Sequence, residues 1–151
     1  MRIAIGSDAA TELTEALKAE LERRGHRLFA FGPLTVGEAE RDWPLVAEDV
    51  ARAVVDGGAD EGIVCCWTGT GVAIAANKIR GIRCALAQDA ETARGARVYN
   101  HANVLALSLR ATPIPVMKEI LDAWFSTPTE SGEAQNAWNV EQIARVAALE
   151  R

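Results

Sequence analysis

Cys66 is the residue whose surroundings best suit chemistry. It closes the apolar run Gly62-Ile63-Val64-Cys65-Cys66, which has the character of a strand buried on both faces. Trp67 follows, and then Thr68-Gly69-Thr70-Gly71, where two glycines permit a tight turn and close backbone approach. Ala73 to Ala76 resumes with good helix formers. A strand, a small-residue turn and a helix in that order aim several backbone N–H groups outward at one point. Such a point binds anions or stabilises a developing oxyanion. A thiol at the strand's lip feels the positive end of the helix, which favours the thiolate. The pattern is neither the phosphate loop ending in Gly-Lys-Ser/Thr nor G-x-G-x-x-G. Many α/β proteins carry such a turn and bind nothing, and cysteine is among the most buried residue types. A purely structural thiol is therefore the alternative.

The elements that must hold this turn can be followed along the chain. Arg2 to Gly6 has the pattern of a first strand, ending in a Gly-Ser-Asp turn where Ser7 or Asp8 can cap the next helix. Leu13, Leu17 and Leu21 recur at i+4 steps and give a helix over Ala10 to Arg24, stopped by Gly25. Arg27 to Phe31 is a second strand, and Gly32 to Asp42 a loop. Pro44 opens a helix with Val46, Val50 and Val54 on its apolar face, stopped by Gly57-Gly58. Gly62 to Cys66 is the third strand, followed after Gly71 by a short helix. Ile82 to Ala87 is a fourth strand, Asp89 to Val98 a polar helix, and Asn103 to Leu107 a fifth strand. Pro113 to Phe125 is a helix, Thr129 to Asn136 a loop, and Trp138 to Leu149 a last helix. Strands alternating with helices argue for a parallel sheet built from βαβ units, with right-handed crossovers covering both faces. Ligands in such sheets bind at the carboxyl ends of strands. Gly6-Ser7-Asp8, Cys66 to Gly71, Gln88-Asp89 and the stretch before strand five are expected there.

Composition sets the limits. A chain of 151 residues, 49% hydrophobic and 25% charged, fits one globular domain, here spanning 1–151. A net charge of −5 without a basic stripe argues against nucleic acid and anionic membrane surfaces as partners. Cys65, Cys66 and Cys84 form neither a disulfide framework nor a metal-ligand spacing, so no metal or cofactor is expected. The N-terminal apolar stretch is too short for a signal-peptide core, and no run spans a bilayer; a reduced, cytoplasmic protein is the expectation.

The ordered blocks carry a resemblance. Ile3-Ala4-Ile5-Gly6-Ser7-Asp8, Asp42-Trp43-Pro44, the block from Cys66 to Ile74-Ala75-Ala76-Asn77-Lys78, Gly81-Ile82-Arg83, Asn100 with Ala102-Asn103-Val104-Leu105-Ala106, and Ile120-Leu121-Asp122-Ala123-Trp124 follow one another at specific spacings. From Met1 to about Pro128 the chain resembles the ribose-5-phosphate isomerase B family, which includes the galactose-6-phosphate isomerase subunits. The resemblance implies a Rossmann-like three-layer αβα fold with a five-stranded parallel sheet. It implies a homodimer with active sites shared between chains, the segment from about 129 to 151 touching the partner. It implies metal-free interconversion of aldose and ketose phosphates, a cysteine moving the proton through a cis-enediolate. That chemistry needs a base and fixed donors where the oxyanion develops. Carried over, Cys66 is the base, Thr68 and the backbone of Gly69, Thr70 and Gly71 hold the enediolate, and Asp8 and Asn100 bind sugar hydroxyls.

Several positions depart from the family. Its Ser-Asp-His-Ala-Gly is Ser7-Asp8-Ala9-Ala10-Thr11, and its Cys-Gly-Thr-Gly is Cys66-Trp67-Thr68-Gly69. Its His-Asn-Asp, whose histidine is credited with ring opening, is Tyr99-Asn100-His101. Two arginines that hold phosphate near its C-terminus have no counterpart in Glu133-Ala134-Gln135-Asn136-Ala137-Trp138-Asn139-Val140. Tyr99 can donate a hydrogen bond but is a poor base, and the imidazole of His101 suits acid or base work. Trp67 either stacks on a ligand or packs against a partner chain; Trp43 is a pocket wall or a core anchor. Arg110, Arg97 and Lys78 are candidate anion ligands. Cys65 and Cys84 are expected in the core. Three functions fit: an aldose–ketose isomerase with an altered substrate, a non-catalytic sugar- or nucleotide-binding homodimer, and a different carbonyl reaction using the same thiolate.

Overall fold

The computed structural model describes residues 1–150. Five strands, β1 (Arg2–Ser7), β2 (Arg27–Phe31), β3 (Glu61–Cys66), β4 (Cys84–Leu86) and β5 (Val104–Ser108), form one sheet in the order β2-β1-β3-β5-β4. Every adjacent pair is parallel. The helices are α1 (Glu12–Arg23), α2 (Trp43–Val55), α3 (Thr70–Ala76), α4 (Ala90–Asn100), α5 (Ile114–Ser126) and α6 (Ala137–Ala147). The fold is the expected Rossmann-like three-layer αβα arrangement.

Alternation along the strands sorts the core into two halves. Ile3, Ile5, Ile63, Cys65, Leu105 and Leu107 face α1, α4 and α5, where Leu17, Leu21, Met117, Ile120 and Trp124 meet them. Ala4, Val64, Cys66, Val104 and Ala106 face α2 and α3, against Ala47, Val50, Val72 and Ala76. Cys65 and Cys66 therefore point to opposite faces, as their adjacency in a strand requires. The second half is thin because α2 lies close to the sheet. A Cβ at Gly6 would stand 2.6 Å from Val46 Cγ1, and one at Gly62 2.7 Å from Val50 Cγ1.

Strand order places the site. After β1 the chain turns outward to β2; after β3 it turns the other way to β4. The carboxyl ends of β1 and β3 thus flank the switch point where α/β sheets bind ligands.

Local details differ from the sequence expectations for physical reasons. Thr11, not Ser7 or Asp8, caps α1: its hydroxyl accepts from Thr14 N at 3.3 Å, and Thr14 Oγ1 accepts from Thr11 N at 2.8 Å. Ser7 instead donates to Ala9 O at 2.7 Å. Trp43 is the first residue of α2 rather than part of the preceding loop. β4 is short, and its start is held by a side chain. Asn77 Oδ1 accepts from Cys84 N and Asn77 Nδ2 donates to Cys84 O, both at 2.8 Å, imitating a neighbouring strand at the sheet's edge. The expected loop after Pro128 contains a 3-10 turn over Gly132–Gln135, and Asn136 caps α6 by accepting from Asn139 N. Among the described residues no helix is long and apolar enough to cross a membrane.

Candidate active site

Cys66 ends β3 with 5% of its surface exposed, beside Ser108 of β5. The backbone then leaves the sheet through Trp67 and Thr68 and turns at Gly69, whose φ of 77° is the left-handed conformation glycine adopts without strain. No other residue fits there. A Cβ would lie 2.6 Å from Leu86 Cδ1 and 2.9 Å from the Leu107 carbonyl carbon. The Thr68 and Thr70 hydroxyls stand 2.7 Å apart on the exposed side of the turn. Thr70 and Gly71 open α3. Trp43 seals the turn from outside: a Cβ on Gly71 would sit 3.1 Å from the indole. Trp43 therefore walls the turn while remaining partly exposed.

β5 anchors the same stretch. The Trp67 carbonyl accepts from Ser108 Oγ at 2.9 Å and from Arg110 N at 3.1 Å. The Trp67 backbone is fixed, while its indole is 63% exposed. The Arg110 side chain is exposed at this end. Asp8 follows β1 across the crevice. Burial, joined by the charge of Glu40, lifts its carboxyl above the ordinary carboxylate range, against the pull of local backbone N–H groups. Cys66, Thr68, Gly69, Thr70, Gly71, Asp8, Trp43, Trp67 and Arg110 thus share the carboxyl end of the sheet.

Tyr99, Asn100 and His101 do not join them. The stretch before strand five, expected at the carboxyl ends, lies at the amino ends, because α4 runs antiparallel to the strands and must deliver the chain back to the start of β5. Arg83 Nε donates to His101 O at 2.9 Å just before β4, and Asn103 O accepts from Gly62 N near the start of β3. The length of a strand, about 15–20 Å, separates this trio from Cys66 of the same chain. Tyr99 and Asn100 are exposed. His101 caps α4 with a left-handed backbone, φ 45°, and its Nε2 lies 2.7 Å from Ala134 O. Gln88-Asp89 does lie at the carboxyl ends, with Asp89 capping α4 by accepting from Thr92 N at 2.6 Å.

Other candidates find different roles. Arg97 is buried: Nη2 pairs with Glu61 Oε1 at 2.7 Å, Nη1 donates to Ala102 O at 2.7 Å, and Nε donates to Thr127 O at 3.0 Å. Each of its three nitrogens is engaged and the side chain is only 7% exposed, which removes it as an anion site. Burial pushes the Cys65 and Cys84 thiols up to about 12. Cys84, expected in the core, is only partly buried, because β4 is an edge strand facing a cleft of about 970 Å³ between the segment after α3, α4 and the end of α6. Lys78 lines this cleft rather than the thiol's crevice. Two contributors escape sequence reasoning: Ser108, whose hydroxyl steadies Trp67, and Arg94, which pairs with Glu133 Oε2 at 2.7 Å. Neither sits in a pattern that signals its partner, since the partners are 41 and 39 positions apart in sequence.

Among the described residues no group of three or more His, Cys, Asp or Glu is arranged to hold a metal. What the carboxyl end offers is a thiol, hydroxyls and backbone donors around one point, the equipment for moving a proton next to a carbonyl.

Comparisons with known proteins show what the chain is similar to. A family model described as Ribose/Galactose Isomerase matches residues 3–143. The ribose-5-phosphate isomerase B of Escherichia coli K12 is 34% identical over 151 residues, covering 99% of this chain and 97% of that protein. The D-erythrulose-4-phosphate isomerase of Pectobacterium atrosepticum is 38% identical over 144 residues, covering 95% and 93%. The solved ribose-5-phosphate isomerase B of Clostridium thermocellum superposes with a TM-score of 0.87 at 34% identity, covering 99% and 97%.

Proposed function

The chain belongs to the ribose/galactose isomerase family of aldose–ketose isomerases, and from that footing we propose that Cys66 carries a proton between adjacent carbons of a sugar or sugar phosphate. The Cys66 thiolate takes the proton from the carbon next to the carbonyl. The electron pair moves to the carbonyl oxygen, giving a cis-enediolate. The Thr68 hydroxyl and the N–H groups of Gly69, Thr70 and Gly71 stabilise that charge. The hydroxyl proton of the second oxygen passes to the first, the proton held by Cys66 returns to the neighbouring carbon, and the second oxygen becomes the carbonyl, so nothing is gained or lost. Asp8, its carboxyl raised by burial, hydrogen-bonds sugar hydroxyls. The observation that carries the reading is the position of Cys66: at the β1/β3 switch point, immediately before a turn whose left-handed glycine admits no side chain.

A second copy of the chain completes the site. Tyr99 and Asn100 are exposed at the wrong end of their own sheet, so a two-fold partner is what brings them to Cys66. The α4 cleft and the exposed Trp138, Val146 and Leu149 of the C-terminal segment supply apolar surface for that contact. The Tyr99 hydroxyl assists ring opening. His101, engaged with Ala134 O, holds the end of α4 in place. Three unpaired cysteines fit a reducing compartment such as the cytoplasm.

The substrate is altered from an ordinary pentose phosphate. The stretch from Thr129 to Gln142 holds no arginine or lysine, Arg97 is enclosed, and Arg41 pairs with Asp49, which leaves Arg110 as the candidate guanidinium at the thiol's end. A substrate without a terminal phosphate, or with its phosphate at Arg110, fits this distribution. The experiment is proton exchange from deuterated solvent into a panel of sugars and sugar phosphates, read by NMR, with Cys66→Ser in parallel. Deuterium at the carbon next to the carbonyl, absent in Cys66→Ser, supports the reading. Equal exchange by the variant removes Cys66 as proton carrier.

A further inference from the structure

Tyr99 does not stand alone on the α4 face it presents. Its ring lies back along the helix, 3.5 Å from where a Gly95 Cβ would be, so the phenol sits over the preceding turn beside Arg94. The Tyr99 hydroxyl, and then Glu133, hold the Arg94 guanidinium above its ordinary pKa. Glu133 reaches Arg94 from the 3-10 turn before α6, Nη2 to Oε2 at 2.7 Å.

That turn is built to present the carboxylate. The Glu133 carbonyl accepts from Asn139 Nδ2 at 2.9 Å, and Asn139 is 1% exposed. His101 Nε2 lies 2.7 Å from Ala134 O, tying the next residue to the end of α4. The backbone around Glu133 is thus fixed at two points. The ion pair itself is open to solvent, with side-chain exposures of 39% for Arg94 and 51% for Glu133. Exposed pairs contribute little and exchange readily with competing ions. The other arginines near the end of α4 are not available in this way: Arg97 is enclosed by Glu61 and two carbonyls, and Arg83 donates to His101 O.

We propose that Glu133 is a specificity-determining residue, a built-in counter-ion that occupies the Arg94 guanidinium beside Tyr99 and so disfavours substrates carrying a dianionic phosphate at the end away from the carbonyl. This rests on the reading that Tyr99 is delivered to the site. A phosphate arriving beside Tyr99 must displace Glu133 from Arg94 and then lie next to a fixed negative charge. A neutral hydroxymethyl end meets neither obstacle. Arg94 forks toward a phosphate as well as it does toward a carboxylate, so removing the Glu133 charge turns a barrier into a ligand.

The test is calorimetric titration of ribose 5-phosphate and of D-ribose into the wild-type protein, E133Q, and the double variant E133Q/R94M. E133Q is expected to tighten ribose 5-phosphate roughly tenfold while leaving ribose unchanged, and R94M is expected to cancel the gain. Tightening of both sugars alike, no tightening of ribose 5-phosphate, or a gain that survives R94M overturns the proposal. Solvent deuterium exchange by wild type, and its loss in Cys66→Ser, reads the underlying reaction separately. Cys66-dependent exchange without an E133Q effect rejects Glu133 alone; absence of that dependence rejects the proton-transfer reading, whatever E133Q does.

Discussion

Replacing Arg97 with methionine should cost this fold a large share of its stability. The Arg97–Glu61 pair joins α4 to β3 with side-chain exposures of 7% and 8%. Glu61 Oε2 also accepts from Trp124 Nε1 at 2.6 Å, and the guanidinium lies 4.8 Å from the centre of the Trp124 ring, so three elements meet there. Burial already holds the Glu61 carboxyl above its ordinary value, against the lowering pull of Arg97 and Trp124. Methionine keeps the stem's packing but leaves the carboxylate buried with the indole N–H alone. Breaking one partner of a buried pair costs about 3–5 kcal/mol, against a total of about 5–15 kcal/mol for an ordinary domain. Adding Glu61→Gln, which keeps an acceptor for Trp124 and removes the stranded charge, should restore about 2 kcal/mol. The exposed Arg52–Glu48 pair is the control: Arg52→Met should cost less than about 1 kcal/mol. Urea unfolding, followed by far-ultraviolet circular dichroism and tryptophan fluorescence at one protein concentration, measures all four proteins. In Arg97→Met the Glu61 carboxyl rises further, so the folded state binds more protons than the unfolded one above the ordinary carboxylate range. Stability should then fall with rising pH, and the cost should be smaller near pH 5 than near pH 8. An unchanged urea midpoint in Arg97→Met, with substrate KM raised instead, would make Arg97 a ligand and refute the reasoning.

Gly69→Ala should destabilise by about 2–3 kcal/mol and depress kcat, since it combines a left-handed φ with backbone contact at Leu107. Gly57→Ala, at φ 78° with open space around it, should cost only about 1 kcal/mol; thermal unfolding compares them. The Glu20 carboxyl is held down to about 2 by Arg23 and Arg24, so its contribution is present above its ordinary value near 4.5 and is lost as pH falls toward 2. Glu20→Gln should flatten the acid limb of the stability curve, and an unaltered limb would count against the pairing. Iodoacetamide near pH 7, read by mass spectrometry, should label Cys66 ahead of Cys65 and Cys84, whose thiols burial lifts to about 12. Cys84 labelling first would remove the thiolate reading.

The elements were largely legible because their signals are local. Leucines at i+4 steps mark α1, and the alternation through Cys65-Cys66 sends one thiol to each face. Motif order also placed Cys66 and its turn, since strand, glycine and helix fix each other's geometry within a few residues. What sequence misplaced depends on distance through space. Tyr99, Asn100 and His101 end a helix, and only the parallel pairing of β4 with β5 sends that helix's end away from Cys66. Arg97 looks like any surface cation of a polar helix until Glu61 and Trp124 are brought beneath it. Trp43 belongs to α2 rather than a loop, because Pro44 tolerates the helix's first turn. The Arg94–Glu133 pair depends on how a turn before α6 returns to α4, which no local pattern encodes.

The most direct test of a site shared between two chains is subunit mixing. Cys66→Ser and the double variant Tyr99→Phe/Asn100→Ala are each prepared, unfolded together and refolded, then assayed for solvent deuterium exchange into the preferred sugar. If Cys66 of one chain works with Tyr99 and Asn100 of the other, half the sites in each mixed dimer are intact, and random pairing restores about a quarter of wild-type activity. If all these residues serve one chain's own site, every site stays damaged, and a mixture no more active than the average of the two variants alone would contradict the account.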